Sequence, residues 1–401
     1  MPPTSADAGP QGAPAVPLFT VLREWGRLGC VGFGGPPTHI RLLRDLCVER
    51  RRWMEAREFE DALAACNLLP GPASTQLAIF CASRVRGRAG ALVGGVAFIV
   101  PGLVVILALA ALFLSGSPPR WLLGAAAGAG AAVAAVAVQA GLALLLPSWR
   151  GRLGGSRARW VAYVAAGLLA AATLGTWLVV VLLGCGAVEL AIVQGRRPGP
   201  GPATTRRGSI AAVPLLAAGA LGGSVLVSLT WVALKVGALS YGGGFVIIPL
   251  MQADAVRRYH WMSGQQFLDA VALGQVTPGP VVQTVAVVGY AAAGLGGGLL
   301  ASAVAFAPSF AIMLLGGHRF DRIRGDERAR AFLDGAGPAA IGAILGSAIP
   351  LTAALTQPWQ YVVLAAAAGA LLVLRRGVVP TLLGAGAAGA LAVLAGVPLQ
   401  H

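Results

Sequence analysis

Charged residues are scarce in this sequence. Only 11% of its 401 residues are Asp, Glu, Lys or Arg, and 57% are hydrophobic, whereas a soluble domain carries about 25% charged residues. The apolar segments are long rather than short and alternating, which argues against a β-barrel. The chain is therefore predicted to be an all-α integral membrane protein.

Lysine is nearly absent, because Lys235 is the only one among 30 basic residues. The net charge is nevertheless +15, and the arginines lie mostly between apolar segments. This placement is typical of cytoplasmic loops and of contacts with anionic lipid, so the bilayer is the expected partner. No surface combines aromatic and basic residues for reading bases, which argues against a nucleic-acid partner.

Cysteines and enzymatic motifs are also missing or sparse. The five cysteines are scattered, with neither metal-ligand spacing nor the pattern of a disulfide framework. The sequence contains no H-E-x-x-H, Walker A or G-x-S-x-G motif. We therefore expect no enzyme, no metal site and no cofactor.

Two segments divide the chain by composition. Residues 1–16 are rich in Pro, Gly and Ala without a signal-peptide pattern, and are predicted to be a disordered tail. Residues 196–208 combine four arginines with Pro and Gly, which predicts an exposed cytoplasmic linker. The linker separates a first unit, 17–195, from a second unit, 209–401.

The two units are copies of each other at an offset of 208 residues. Three blocks pair without a gap: Phe33-Gly34-Gly35 with Tyr241-Gly242-Gly243, Trp53-Met54 with Trp261-Met262, and Pro70-Gly71-Pro72 with Pro278-Gly279-Pro280. Such duplication is common in secondary transporters, often with inverted topology. We expect two inverted repeats with roughly ten to twelve membrane helices.

Apolar periodicity predicts the helices of each copy. In the first copy they cover about 18–33, 58–69, 72–83, 90–114, 122–146 and two shorter helices within 160–194. In the second copy they cover about 213–241, 263–277, 280–292, 295–315, 331–355, 359–374 and 379–397.

Each Pro-Gly-Pro block breaks a helix and starts a new one, because proline ends a helix but suits its first position. In a membrane the backbone groups freed by a break must face protein or a wet cavity. The first turns then carry polar side chains, namely Ser74, Thr75, Gln76, Gln283 and Thr284. These side chains are either simple helix caps or, with the positive helix end, donors to a small tetrahedral oxyanion.

A cation precedes each break, six residues before the aromatic-Gly-Gly turn: Arg27 in the first copy and Lys235 in the second. A charge at bilayer depth usually faces a pathway or a partner; the alternative is snorkelling to the interface. The glycine pairs Gly34-Gly35 and Gly242-Gly243 allow close approach of a ligand, or simply tight helix packing. We assign the cations and glycines to the anion site.

Several titratable residues are candidates for ion coupling. Asp61 and Asp269 are matched across the copies, and His39 is a candidate because histidine is the side chain whose ordinary pKa lies near neutral pH. Ion pairs with arginines and a structural histidine are the alternatives. Glu24, Asp254, Glu189 and Asp334 are further acidic candidates.

At these motifs the chain resembles the chromate ion transporter family in its long form, with two fused homologous domains. The residues that carry the resemblance, over about 18–397, are Arg27-Leu28-Gly29, Phe33-Gly34-Gly35-Pro36, His39, Trp53, Leu69-Pro70-Gly71-Pro72 and Gln76, then Lys235-Val236-Gly237, Tyr241-Gly242-Gly243-Gly244, Pro249, Trp261 and Thr277-Pro278-Gly279-Pro280. The resemblance implies export of chromate across the cytoplasmic membrane, driven by the proton motive force as in an antiporter, and chromate resistance. Two positions depart from the family pattern. The second copy has Gly244 at the position where the first copy has Pro36, and Arg27 stands where many relatives carry lysine.

Two other functions are compatible with the sequence. One is a transporter of the same build for sulfate, molybdate or another oxyanion, since pocket size and hydration set that preference. The other, from a different class, is a non-transporting scaffold or channel subunit. The sequence also leaves open whether the chain acts as a homodimer.

Overall fold

The computed structural model describes residues 16–67, 69, 71–114, 118–150, 156–195, 224–240, 246–316 and 327–397. Every regular element in these ranges is helical, so the predicted all-α class is confirmed. The tail 1–15, the linker 196–208, Pro70 and the turn with Gly242 and Gly243 lie outside the described residues.

Eight α-helices form the first half of the described chain. They are α1 (Leu18–Val31), α2 (Pro36–Arg44), α3 (Ala56–Cys66), α4 (Ala73–Phe113), α5 (Arg120–Ala131), α6 (Val133–Arg150), α7 (Ser156–Thr173) and α8 (Leu178–Gly195). Seven more follow: α9 (Val225–Leu239), α10 (Ile247–Gln252), α11 (Gly264–Val276), α12 (Thr284–Gly316), α13 (Glu327–Ala353), α14 (Pro358–Ala368) and α15 (Val378–Leu394).

Backbone conformations recur between the halves at the offset read from the sequence. Helix α2 continues into a π-helical turn at Asp45–Arg50, and α10 into one at Ala253–Arg258, 208 residues later. Each turn is followed by a non-glycine residue at φ 51°, Arg52 and His260. Such values are uncommon outside glycine, so the shared strain indicates a shared local fold.

Helices α4 and α12 each double back on themselves. Arg86 and Gly87 leave helical geometry in α4, and Ala293 and Gly294 do so with nearly the same angles in α12. Gly87 and Gly294 have φ of 60° and 63°, which glycine adopts without strain. A Cβ at Gly95 would lie 2.8 Å from Ile79, so residues 73–85 and 88–113 run as two antiparallel arms. The predicted division into a short and a long helix in each copy is therefore confirmed.

The short arms cannot cross a membrane alone. Residues 73–85 rise about 20 Å, against about 30 Å of hydrocarbon. Within the described residues, the segments with the length and apolar composition to span are Ala73–Phe113, Arg120–Arg150, Leu178–Gly195, Val281–Leu315 and Glu327–Ala353. The protein is thus a multi-pass membrane protein with half-length helices before and after each break.

Helices from the two halves of the chain pack against each other. α1 packs on α4 and α9 on α12 within the copies, while α4 also packs on α12, α5 on α15, and α6, α7 and α8 on α13. Glycine makes these contacts close: the Gly124 and Gly389 backbones touch, as do those of Gly342 and Val164. Small residues let membrane helices approach in this way.

The predicted membrane helix 122–146 lies within the spanning segment Arg120–Arg150. That segment is interrupted at Ala132, between α5 and α6. The interruption follows Gly130, where a Cβ would meet the Asp269 carboxylate at 2.9 Å, so α11 crosses there. The predicted division of 160–194 near Gly175 is confirmed, because Gly175 takes φ 56° between α7 and α8.

Candidate functional site

The first break, at Gly71 and Pro72, is lodged against the second copy. Gly71 has φ 118°, and a Cβ there would lie 3.0 Å from Ser309 Oγ in α12 and 3.5 Å from the Gly237 carbonyl in α9. Gly237 is the third residue from the C-terminal end of α9. The break therefore lies beside the carbonyl end of α9, the first described helix of the second half.

The second break, at Pro278–Pro280, is lodged against the first copy in the same manner. The Gly279 N–H donates to the Gly32 carbonyl at 3.0 Å, at the end of α1. Gln283 Nε2 donates to the Ile99 carbonyl in α4 at 2.6 Å. Helix α4 has no side chain at Gly102, where the Pro278 carbonyl comes so close that a Cβ would overlap it. A Cβ placed on Gly35 would lie 3.5 Å from the Val281 side chain, so the first Gly-Gly turn also meets this break.

His39 connects the two breaks. Its Nε2 donates to the same Gly32 carbonyl at 2.9 Å, so Nδ1 is the acceptor that faces the Ser74 hydroxyl at 3.4 Å. The imidazole is 1% exposed and packs edge-on against Phe98. A continuous polar path thus runs from Gly279 through Gly32 and His39 to the first turn after Pro72.

Buried polar atoms without a hydrogen-bond partner gather around the breaks. Among the described residues they include Thr75 Oγ1, Ser240 Oγ, Gln275 Nε2, Gln283 Oε1 and Ser309 Oγ. Each such group costs about 1–3 kcal/mol when nothing pairs with it. Because the protein keeps several together, this region is suited to a polar ligand or ordered water.

Both new helices present unused N–H groups toward their breaks. The first backbone hydrogen bonds of the two new helices run from the Thr75 N–H to the Pro72 carbonyl and from the Gln283 N–H to the Pro280 carbonyl. The N–H groups of the two residues before Thr75, and of the two before Gln283, therefore have no carbonyl partner within their own helix. These ends carry roughly half a positive charge each. Two such ends in one polar region favour an anion.

Lys235 lies close in depth to the first break. It precedes Gly237 by two residues, about 3 Å along the axis of α9, and Gly237 packs against Ala305, near the middle of the long arm of α12. The ammonium is not free, since it forms a buried ion pair with Asp254 in the π-helical turn after α10. The sequence marked Asp254 as acidic but gave no sign of this pairing, because the two residues are 19 positions apart.

Other predicted site residues are placed differently. Arg27 is exposed on α1 and makes no ion pair or hydrogen bond with the described residues, so the structure does not bring it together with buried Lys235. Gly34 is likewise exposed. The Thr284 hydroxyl donates to the Val281 carbonyl at 2.9 Å, within its own turn. These differences from the prediction have one cause. The repeat predicts which residues correspond between the copies, whereas the packing of neighbouring helices determines which of those residues are buried.

The matched aspartates lie away from the breaks. Asp269 accepts a hydrogen bond from Gln265 at 3.1 Å and faces Gly130 of α5. Asp61 is half-buried on α3.

Gln76 is fully buried, and its amide lies 2.6 Å from a Cβ placed on Gly71. Across the described ranges no group of three or more His, Cys, Asp or Glu side chains is arranged to hold a metal ion.

Comparison with known proteins agrees with the two-copy architecture. The sequence profile of the family described as "Chromate transporter" matches residues 19–190 and, separately, 227–391. The chain is 33% identical to the "Chromate transport protein" of Cupriavidus metallidurans, over 87% of this chain and 86% of that protein. It is 32% identical to the "Chromate transport protein" of Pseudomonas aeruginosa over 81% and 79%, and 29% identical to the "Probable chromate transport protein" of Synechococcus elongatus over 84% and 85%. No solved structure matches this chain. The profile matches in both halves and the similarity along most of its length show that the chain belongs to the chromate transporter family.

Proposed function

We propose that this protein is a secondary active transporter that exports chromate across the cytoplasmic membrane and so confers chromate resistance. Two repeats of inverted topology, 17–195 and 209–401, are joined by a cytoplasmic linker at 196–208. The observation that carries the proposal is that each Pro-Gly-Pro break packs against the opposite copy. Around the breaks lie buried polar atoms without a hydrogen-bond partner among the described residues.

The chemistry of the region fits a tetrahedral dianion. The oxygens of chromate accept hydrogen bonds and donate none, so they need N–H and O–H donors. Free N–H groups after Pro72 and Pro280, the Thr75 hydroxyl and the Ser309 hydroxyl are such donors. Lys235 lies at nearly the same depth and supplies full positive charge once Asp254 releases it. Helix N-termini of broken helices serve the same purpose in other transporters.

The interleaved packing supports alternating access. Because each break rests on the first helix and the long arm of the other copy, rocking one copy against the other changes both breaks together. The Gly32 carbonyl is the shared joint, since it accepts from Gly279 and from His39. We propose that movement at this joint opens the site to one side of the membrane at a time.

The membrane potential is sufficient to drive chromate out of the cell. Moving one charge across the membrane is worth about 2.3 kcal/mol per 100 mV, so a dianion leaving an inside-negative cell gains about twice that, roughly 4.6 kcal/mol. Export therefore requires no nucleotide. It requires only that the site accept the anion on both sides of the membrane.

Proteoliposome flux tests the proposal. Vesicles loaded with labelled chromate are given an inside-negative potassium diffusion potential, and efflux is compared with that at zero potential. We expect saturable efflux that the potential accelerates at least tenfold, and that unlabelled chromate inhibits more strongly than sulfate or molybdate. Stronger inhibition by sulfate would assign the site to that oxyanion instead, and the absence of saturable flux would leave the scaffold or channel subunit as the better assignment.

Replacing His39 with alanine is expected to slow efflux about tenfold, equivalent to about 1.4 kcal/mol of lost coupling between the breaks. The variant loses the donor to Gly32 and the acceptor for Ser74. His39→Gln, whose amide keeps both a donor and an acceptor, is the matched control and should recover part of the rate. Equal rates for His39→Ala and the wild type, measured in the same vesicles, would contradict the proposed joint.

A further inference from the structure

The Lys235–Asp254 pair is sealed from solvent but only partly satisfied. Lys235 is 8% exposed and Asp254 is fully buried. An ammonium group has three donors, and among the described residues this one is paired with Asp254 Oδ2 alone. The other carboxylate oxygen, Asp254 Oδ1, has no hydrogen-bond partner there.

A second buried carboxylate in the same protein shows the contrast. Glu189 accepts from Arg159 through both oxygens, at 2.8 and 3.0 Å, and from the Tyr163 hydroxyl at 2.9 Å. Burying charge is favourable only when such additional hydrogen bonds are made. The Glu189 cluster has the form of a structural ion pair. The pair at Lys235 keeps unused donors and an unused acceptor, as expected of groups that exchange partners.

The repeat shows that this pair is specific to one copy. At the offset of 208, Asp254 corresponds to Leu46, and Lys235 to the exposed Arg27. The first copy instead pairs Glu24 on α1 with Arg51 after its π-helical turn. There the acid lies on α1 and the arginine side chain is 42% exposed, so the buried lysine and its acid occur in the second copy alone.

We infer that Asp254 is a proton-binding group linked to the anion site, occupying Lys235 until a transported oxyanion replaces it. This inference rests on the function proposed above. When the oxyanion takes the ammonium, the Asp254 carboxylate loses its counter-charge in a buried position, where desolvation favours the neutral acid. It therefore binds one proton from solution, and when the anion leaves, the proton is released and the ion pair re-forms.

Few other charges act on Asp254. Within the described residues they are Lys235 from α9 and Arg258 from the next turn of its own segment. The neighbouring α11, α13 and the turn at Gly175–Trp177, which pack around this segment, add no charged group to that set. Anion binding at Lys235 and proton binding at Asp254 are therefore directly linked. The proton travels with the anion, so one negative charge rather than two crosses per chromate, and the gain from the membrane potential is half of the value for a bare dianion.

Proton uptake on anion binding tests the inference. Purified full-length protein in lightly buffered detergent is titrated with chromate at a pH where chromate is the dianion, and the pH change is recorded together with binding. We expect about one proton taken up per anion bound, and binding that weakens up to tenfold per pH unit on the alkaline side. Asp254→Asn should bind chromate without proton uptake and with no dependence on pH.

Three further measurements make the result decisive. Glu189→Gln, which alters an equally buried carboxylate, should keep the proton uptake. Lys235→Met/Asp254→Leu removes both charges, which is far less costly than stranding one; it should fold and show neither binding nor uptake. Wild-type binding without proton uptake, or uptake that persists in Asp254→Asn, overturns the inference and leaves the transport function standing. No chromate flux by the wild type in vesicles would overturn the function itself.

Discussion

Chromate efflux from proteoliposomes is expected to fall to the level of empty vesicles when Lys235 is replaced by methionine. Lys235 is a buried cation that lies close in depth to the first break, and a dianion in a region of low dielectric requires a full positive charge. The same change strands the Asp254 carboxylate, which costs about 3–5 kcal/mol. The single variant should therefore also unfold at a lower temperature.

A second variant separates the loss of transport from the loss of stability. Lys235→Met/Asp254→Leu removes the pair as a whole, so its thermal midpoint in detergent should return toward that of the wild type while efflux stays at background. Lys235→Arg keeps the charge but replaces the compact ammonium with a planar guanidinium, and should retain measurable efflux. Wild-type efflux from the double variant would remove Lys235 from the anion path.

The helix breaks were predictable from the sequence because their cause is local. Pro-Gly-Pro interrupts a helix whatever surrounds it, and the positive φ of Gly71 and Gly279 is available to glycine almost alone. Duplication of the blocks at one offset then predicted matching elements, and both π-helical turns obey that offset. The helix breaks and their matching surroundings were therefore predictable from the proline and glycine residues and from the sequence repeat.

Which surfaces meet was not predictable, because long-range contacts leave no periodic pattern. Gln283 reaches the Ile99 carbonyl across 184 residues of sequence, and nothing in either segment marks the contact. The repeat also assigned Arg27 and Lys235 one environment, yet only Lys235 is covered. The sequence repeat predicts that the two copies share a backbone conformation. How other helices pack around each copy depends on positions where the copies differ, such as Leu46 in the first and Asp254 in the second.

The contact between the second break and α4 leads to the other prediction with a large effect. Gly102→Ala is expected to abolish efflux, because its Cβ would overlap the Pro278 carbonyl and crowd the Gln283 side chain. A backbone carbonyl cannot rotate away as a side chain can, so α4 or the break must shift. Overpacking of this kind typically lowers the free energy of unfolding by about 1–3 kcal/mol. Here the backbone that is displaced belongs to the second helix break itself.

The matched control for Gly102→Ala lies on the corresponding arm of α12. Gly296 is helical, and a Cβ there meets nothing within 4 Å. Alanine is favoured over glycine inside a helix by about 0.8–1.0 kcal/mol, so Gly296→Ala should be as stable as the wild type or more so, with unchanged efflux. If both alanine variants transport equally well, the close contact between Gly102 and Pro278 does not position the break. If Gly102→Ala alone loses transport, then one methyl group placed on the first copy disables a break that belongs to the second, and the two copies act on one site.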